Sequence, residues 1–423
     1  MYPPYWVSSK EGTFHLEHDA FMSDELRRVP LKELTNRLDS FRRVMTERDP
    51  AWKMAVITDK IDMYYFAGTM QDGAFIIRPE DAILWVRRSL ARAKNESLLP
   101  ESMLRRMHSF RQPAEFYGKD IPSVIYLDNK HTSLEWLGFF QKYFPMKQQR
   151  DLTPVLAQLR SIKSDYELEL LTRAGRIHEQ VLIHDVAPFL HEGISEAELA
   201  VRLYLKMLLL GSHGVARTNR PTGEDVIGLA SFGKSALVRT AFDGPGGTGG
   251  TCVAVQSIGS AFRLLKRGRL VYLDISCGVD GYNTDKTVVY YYGDLNRDPD
   301  REKILKAYAY CLALEKETVS LLKPGAVFGD VYDTVMAHFD PAYEPYFMNG
   351  GRFLGHSIGL VMDETPVITH GVKDMVKENM VLAVEPKIGL PGIGMVGTEN
   401  TYFIGKDGPI CLTGGPVPLA VIK

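Results

Sequence analysis

Between about Val29 and Asp151 the chain alternates two textures. "LKELTNRLDSFRRVM" spaces its apolar residues at helical intervals, the stripe of an amphipathic helix. "MAVITD", "GAFIIRP", "AILWVR" and "SVIYLD" are short apolar runs bounded by turn residues and read as buried strands. This alternation predicts a small α/β domain. Around "LAQLRSIKSDYELELL" the texture changes. Ser164 and Glu167 have the spacing of a capping box, and a long helix is predicted to follow. A domain boundary is therefore expected between Thr153 and Lys163, giving domains 1–155 and 156–423.

The second region repeats itself. A helix from about Ser164 to Val186 leads through a turn at Gly193 to a shorter helix opening near Glu198. A helix from about Arg301 to Leu322 leads through Gly325 to one opening near Asp330. Each half then reaches a pair of strands. The first is "RLVYLDISCGVDGYNTDKTVVYYYG", turning at Asp280-Gly281. The second is "NMVLAVEPKIGLPGIGMVGTENTYFIG", turning in its Pro/Gly stretch. A duplicated helix–helix–hairpin unit predicts a pseudo-two-fold α/β sandwich with one site between its halves. The first half carries extra sequence before its hairpin, including "FDGPGGTGGT", expected to be a mobile loop near that site.

Composition narrows the picture. The chain has 423 residues, 45% hydrophobic and 24% charged, with a net charge of -2. This is ordinary for a soluble globular protein of two domains and gives no support for nucleic acid or a membrane surface as partner. The start, "MYPPYWVSSKEGTFHLEHD", lacks a basic stretch followed by an apolar run, so no signal peptide is expected. No apolar run approaches the roughly 20 residues of a membrane helix. Cys252, Cys277, Cys311 and Cys411 are scattered, which argues against a disulfide framework or thiolate zinc site and for buried, reduced thiols in a cytoplasmic protein.

The candidate chemistry lies on the two hairpins. Asp274 interrupts a strand of Leu, Val, Tyr and Ile, and Asp285 returns nearly opposite it across the turn. Facing carboxylates in a low-dielectric sheet repel, so one is protonated or a cation sits between them. The second hairpin offers Glu385 in "LAVEP" and Glu399 in "GTEN", and "GHSIGLVMDETP" adds His356. For a single acid, an ordinary solvent-facing role on an edge strand is the better reading. For four acids in apolar strands of a repeated unit, with one histidine, the set suits a pair of divalent cations: Mn, Fe, Co or Zn.

These motifs resemble the pita-bread metallopeptidase family (peptidase M24), which includes methionine aminopeptidase, aminopeptidase P, prolidase and creatinase. "DISCGVDGYNTDKT" looks like its first metal hairpin, "GHSIGLVMDETP" like its histidine loop, and "AVEPKIG" and "GTENT" like its two glutamate strands. The resemblance covers about Thr153 to Lys423, and the preceding part resembles the extra domain of the creatinase and prolidase branch. It implies a small N-terminal creatinase-like α/β domain and a C-terminal pita-bread domain. By resemblance His356 and Glu385 bind one ion, Asp274 holds the other, and Asp285 and Glu399 bridge them. Glu385 also shuttles a proton to the leaving amine. The implied activity is metal-dependent hydrolysis of an Xaa-Pro bond in a dipeptide or short peptide, of aminopeptidase P or prolidase type. Manganese is the first choice of metal and Co, Zn or Fe the others. A homodimer is expected, as is common in this branch. Tyr282 and Thr287, beside Asp285, are expected to support the ligands, with simple packing the plainer reading of Tyr282.

Two positions depart from the family pattern. Asp363 stands where the peptidases carry a substrate-contacting histidine. No histidine lies between His213 and His338, where they place another; "LVRTAFDGPGG" offers Arg239 and Asp243. His213, in "GSHGVART", is a substitute from a different loop or an ordinary turn residue. These departures keep open a non-peptidase enzyme on the same site, a small-molecule hydrolase or lyase. A non-catalytic binding module ranks lower because all five ligands are present. "GLASFGKS" fits a phosphate-loop pattern, but the sequence after it reaches a Gly-rich stretch too soon for the helix a nucleotide hydrolase requires.

Overall fold

The structure is a computed structural model. It describes residues 27–218, 227–241 and 244–423, and the backbone of residues 6–8, 14–16 and 224–225. Asp243 lies outside these. The chain divides into two compact units, Met1–Leu159 and Arg160–Lys423.

In the first unit six strands form one mixed sheet: β1 (Ala55–Ile57), β2 (Gly73–Ile77), β3 (Ala82–Val86), β4 (Leu104–Arg106), β5 (Val124–Leu127) and β6 (Gln148–Asp151), in the order β4-β3-β2-β1-β5-β6. The four apolar runs supply its centre. Alternate residues Val56, Ala74, Ile76, Ile83, Trp85 and Ile125 enter one core with Phe140 and Phe144, as the two-residue period of a strand requires. The amphipathic helix spans Leu31–Arg48.

The second unit opens with the helix Asp165–Glu179. Ser164 accepts from the Glu167 amide and the Glu167 carboxylate accepts from the Ser164 amide, so both halves of the capping box form. The chain then passes through a π-helical turn, Gln180–Asp185, to the helix Glu196–Leu209. The second pair is Arg301–Leu321 and Phe328–Met336. One sheet has the order β7-β8-β9-β17, from β7 (Gly228–Phe232), β8 (Arg269–Val279), β9 (Tyr282–Tyr292) and β17 (Ala420–Ile422). Another has the order β11-β10-β12-β15-β16, from β10 (Gly355–Ser357), β11 (Glu364–Ile368), β12 (Val381–Val384), β15 (Asn400–Gly405) and β16 (Gly408–Cys411). Between β12 and β15 lies a two-stranded ribbon, β13 (Lys387–Leu390) with β14 (Gly394–Gly397).

The first hairpin is continuous: eleven residues pair with eleven, and Asp280 and Gly281, both at positive φ, make the two-residue turn. Its odd-numbered residues Val271, Leu273 and Ile275 pack with Leu199 and Leu203 of the first helix pair. Its other face starts apolar, with Leu270 and Tyr272. The second hairpin is not continuous, contrary to the sequence reading. It breaks at Glu385-Pro386 and again at Thr398-Glu399, and so divides its residues between two sheets. Pro386 has no N–H to give a ladder, which accounts for the first break.

The Gly-rich segment is a loop packed against the first hairpin. Residues 245–248 are buried rather than open. The Ser231 hydroxyl donates to the Gly247 carbonyl at 2.9 Å, and the Thr248 amide donates to the Val238 carbonyl at 3.0 Å. A side chain at Gly246 would clash with the Tyr272 hydroxyl. "GLASFGKS" forms β7 and a 3-10 turn, Gly233–Leu237, without the helix that phosphate binding needs. All four cysteines are free; Cys277 and Cys311 are buried, but Cys252 is exposed, contrary to the expectation of buried thiols. Among the described residues, no helix is long and apolar enough to cross a membrane.

Glu315 is fully buried on the helix Arg301–Leu321 and was not anticipated from sequence. It accepts from Thr398 Oγ1, Asn400 Nδ2 and Tyr402 Oη, each at 2.7 Å. These three residues flank Glu399, so one carboxylate pins the second break in the hairpin. Replacing Glu315 with Ala strands three buried donors, each costing about 1–3 kcal/mol. A loss of at least about 3 kcal/mol in unfolding free energy is expected, read as a lower urea midpoint.

Candidate metal centre

Asp274 pairs across the hairpin with Thr287, and Asp285 pairs with Ser276. The two aspartates are therefore diagonal, one register step apart, rather than directly opposite. Since alternate residues share a face, Asp274, Ser276 and Gly278 line one face with Thr287, Asp285 and Asn283. This face continues the apolar surface of Leu270 and Tyr272. Glu399 reaches it from the second half through an isolated bridge between Thr287 and Glu399. His356 sits on β10 beside Ala383 of β12, and the Glu385 amide donates to the Leu354 carbonyl at 2.9 Å. Breaks in the second hairpin thus present both glutamates to the aspartates of the first.

The five predicted ligands converge. Asp285, His356 and Glu399 each place a ligand atom within 4.8 Å of the others. His356 Nε2 lies 3.2 Å from Glu385 Oε1. His356 Nδ1 lies 3.1 Å from the Ser357 carbonyl oxygen, so Nδ1–H donates there and Nε2 faces the acids. Thr287 Oγ1 lies 3.0 Å from Asp274 Oδ1 and 2.9 Å from Glu399 Oε2, meeting the expectation for this residue. Tyr272 donates to Asp274 Oδ2 at 2.8 Å. Tyr282 is fully buried with its ring edge-on to Tyr166.

One residue in the centre was not singled out from sequence. Lys387 Nζ lies 3.1 Å from Asp274 Oδ2, 2.7 Å from Glu385 Oε2 and 2.8 Å from Glu399 Oε2. Its side chain is fully buried. The signal was in "AVEPKIG": a lysine two positions after Glu385 in an extended chain lies on the same side. The strand opposite makes room for it, because a Cβ at Gly397 would lie 2.6 Å from Lys387 Cγ.

The electrostatics follow from this crowding. Burial and the neighbouring Glu399 raise Asp285 well above the usual carboxylate range. Burial and Glu385 push Glu399 up to about 8. Burial works against ionisation of Glu385, but Lys387 and His356 outweigh it and hold Glu385 at about 2. Burial also opposes the charge on His356, yet Glu385 lifts it to about 9. For Lys387, Asp274, Glu385 and Glu399 overcome burial and keep the amine an ammonium. The centre still lacks positive charge: Asp285 and Glu399 are shifted toward their protonated forms, a shift that a cation would reverse.

The remaining predicted residues lie at the margin. His213 packs on Gly278, where a Cβ would meet its ring at 2.0 Å. It therefore covers the acid-bearing face one register step beyond Asp285, roughly 7 Å along the strand. Neither ring nitrogen has a hydrogen-bond partner among the described residues, and burial lowers its pKa below the usual value. Asp363 is exposed, in the loop between β10 and β11. Its neighbour Glu364 is buried. It accepts from the Val361 amide at 3.1 Å and from Arg160, with Lys163 Nζ at 3.7 Å, and so anchors the loop that follows His356. Arg239 is exposed, with its guanidinium over Gly350.

The comparisons with known proteins fit this geometry. Residues 169–406 match the model of metallopeptidase family M24, and residues 37–162 match the creatinase/prolidase N-terminal domain. The chain belongs to metallopeptidase family M24. It is a hydrolase of that class, with a creatinase-type N-terminal domain and a pita-bread domain. It is 27% identical to an Xaa-Pro dipeptidase of Pyrococcus furiosus over 84% of this chain and 92% of the relative. The prolidase of Pyrococcus horikoshii has the same fold, with a TM-score of 0.75 at 21% identity over 91% of this chain and 99% of that one. So does the dipeptidase PepE of Mycobacterium ulcerans, with a TM-score of 0.75 at 22% identity over 94% and 100%.

Replacing Thr287 with Val removes the hydroxyl shared by Asp274 and Glu399 and keeps its shape. Metal affinity is expected to fall about 10–100-fold, as for other groups that orient ligands. Calorimetric titration with Mn(II) measures it, and an unchanged melting temperature separates the effect from misfolding.

Proposed function

We propose that the protein is a metal-dependent peptidase that cleaves Xaa-Pro bonds in dipeptides or short peptides. The observation that carries this reading is the convergence of Asp285, His356, Glu385 and Glu399 on one buried place, in a chain whose relative over most of its length is an Xaa-Pro dipeptidase. Their donors, carboxylate oxygens and one imidazole nitrogen, fit a divalent ion; manganese is the first choice, with Co, Zn or Fe as alternatives. Asp274 stands beside them, held by Tyr272, Thr287 and Lys387. A bound ion would polarise the scissile carbonyl and make its water acidic enough to act near neutral pH. Glu385 is ionised and so able to accept a proton at Oε1, although Lys387 weakens it as a base.

His213 is proposed as the substrate-facing histidine. As a neutral imidazole beside the acid face it has a ring N–H to offer a substrate carbonyl. Asp363, exposed on the loop after His356, is proposed to meet a cationic part of the substrate such as a free amine. The domain limits are proposed as 1–155 and 156–423, and the molecule as a cytoplasmic homodimer. The similarity to an Xaa-Pro dipeptidase does not favour the non-peptidase alternative.

Proline release from a panel of Xaa-Pro dipeptides, with protein loaded with Mn, Co, Zn or Fe, tests the activity. Cleavage that needs metal and disappears in Asp285→Ala is expected; metal binding with no cleavage would remove the peptidase assignment.

His213→Ala is expected to lower kcat about 10²–10³-fold, the usual cost of one donor to a developing oxyanion. Its metal content should equal that of the wild type. Unaltered kinetics would leave His213 as a packing residue.

A further inference from the structure

The family architecture calls for two divalent ions, and the donors around Asp274 do not fit the second. We propose that the Lys387 ammonium permanently occupies that position, so that the centre binds a single divalent ion per chain. The proposal deepens the metallopeptidase reading and rests on it.

The geometry divides the ligands between two cations. Both glutamates turn Oε2 toward Lys387, at 2.7 Å from Glu385 and 2.8 Å from Glu399. Both keep Oε1 for the other side. Glu385 Oε1 faces His356, and Glu399 Oε1 is buried with no hydrogen-bond partner among the described residues. A buried carboxylate oxygen without a donor is costly, and an ion beside His356 and Asp285 satisfies it. Asp274 is on the other side of this division. Its Oδ2 accepts from both Lys387 and Tyr272, and its Oδ1 meets Thr287.

The three N–H donors of the ammonium match three carboxylate oxygens. A divalent ion bound by Asp274 and Glu399 would lie against the ammonium with no water between them. Two positive charges in direct contact repel strongly in a buried site. Lys387 has no easy route out, because its whole side chain is buried. Gly397 underlies its stem at a place where any side chain would clash. The lysine is therefore built into the centre as a fixed positive charge.

The test is metal stoichiometry of the purified full-length protein, by elemental analysis after equilibration with Mn(II), beside Lys387→Gly, which opens the position. One ion per chain in the wild type and two in the variant are expected. Two in the wild type would overturn the proposal and leave the peptidase reading intact. One in both would also overturn it, since Lys387 would then exclude nothing. None in the wild type would overturn it as well, and the dipeptide panel would decide separately whether the peptidase reading survives. Should Lys387→Gly fail to fold, the Mn(II) electron paramagnetic resonance spectrum of the wild type decides. The hyperfine pattern of an isolated ion is expected, and an exchange-coupled pair would refute the proposal.

Discussion

Four carboxylates meet in a largely buried place, and the second unit is arranged around the repulsion among them. Asp285, Glu385 and Glu399 are nearly completely buried, and Asp274 stands beside them. In such surroundings charges of one sign cannot accumulate without protons or cations. The chain supplies one cation itself, Lys387, which stabilises the ionised form of Glu385. The residual excess of negative charge is expressed in Asp285 and Glu399, whose proton affinities stay high. A deficit on one side of the cluster and an ammonium on the other make the centre asymmetric.

That asymmetry comes from the strands. The first half presents its aspartates on an unbroken hairpin whose opposite face is held by the first helix pair. The second half breaks its hairpin twice and places a glutamate at each break. Breaks of this kind leave backbone and side chains in need of external support. Glu315 provides it at Thr398 and Asn400, and Thr287 ties Glu399 to the first half. Glu364 holds the loop after His356 in a similar way. Three buried polar residues, on three elements, therefore position ligands with which they share no metal.

Much of this was legible in the chain. The apolar runs "MAVITD" and "GAFIIRP", the capping box at Ser164 and the Asp280-Gly281 turn are local, and the structure forms each of them. The four acids stood out because carboxylates in apolar strands are anomalous without a partner. The Gly-rich segment is a loop beside the site, as its composition suggests, while its burial depends on Tyr272 and Ser231, distant in sequence. Lys387 was visible as a letter, but one lysine on a strand usually faces solvent. Only its place two residues after Glu385 says that it turns inward.

By itself the sequence determined most of the local elements and singled out the four acids and the histidine that meet in the centre. Those follow from periodicity, turn chemistry and the cost of burying charge, all of which act within a few residues. Tertiary structure alone decided the diagonal register of the aspartates, the break that turns Glu385 inward and the contact of Lys387 with three acids. Each depends on which strands lie next to one another. Coulomb forces in a buried site change steeply with distances that chain order does not specify.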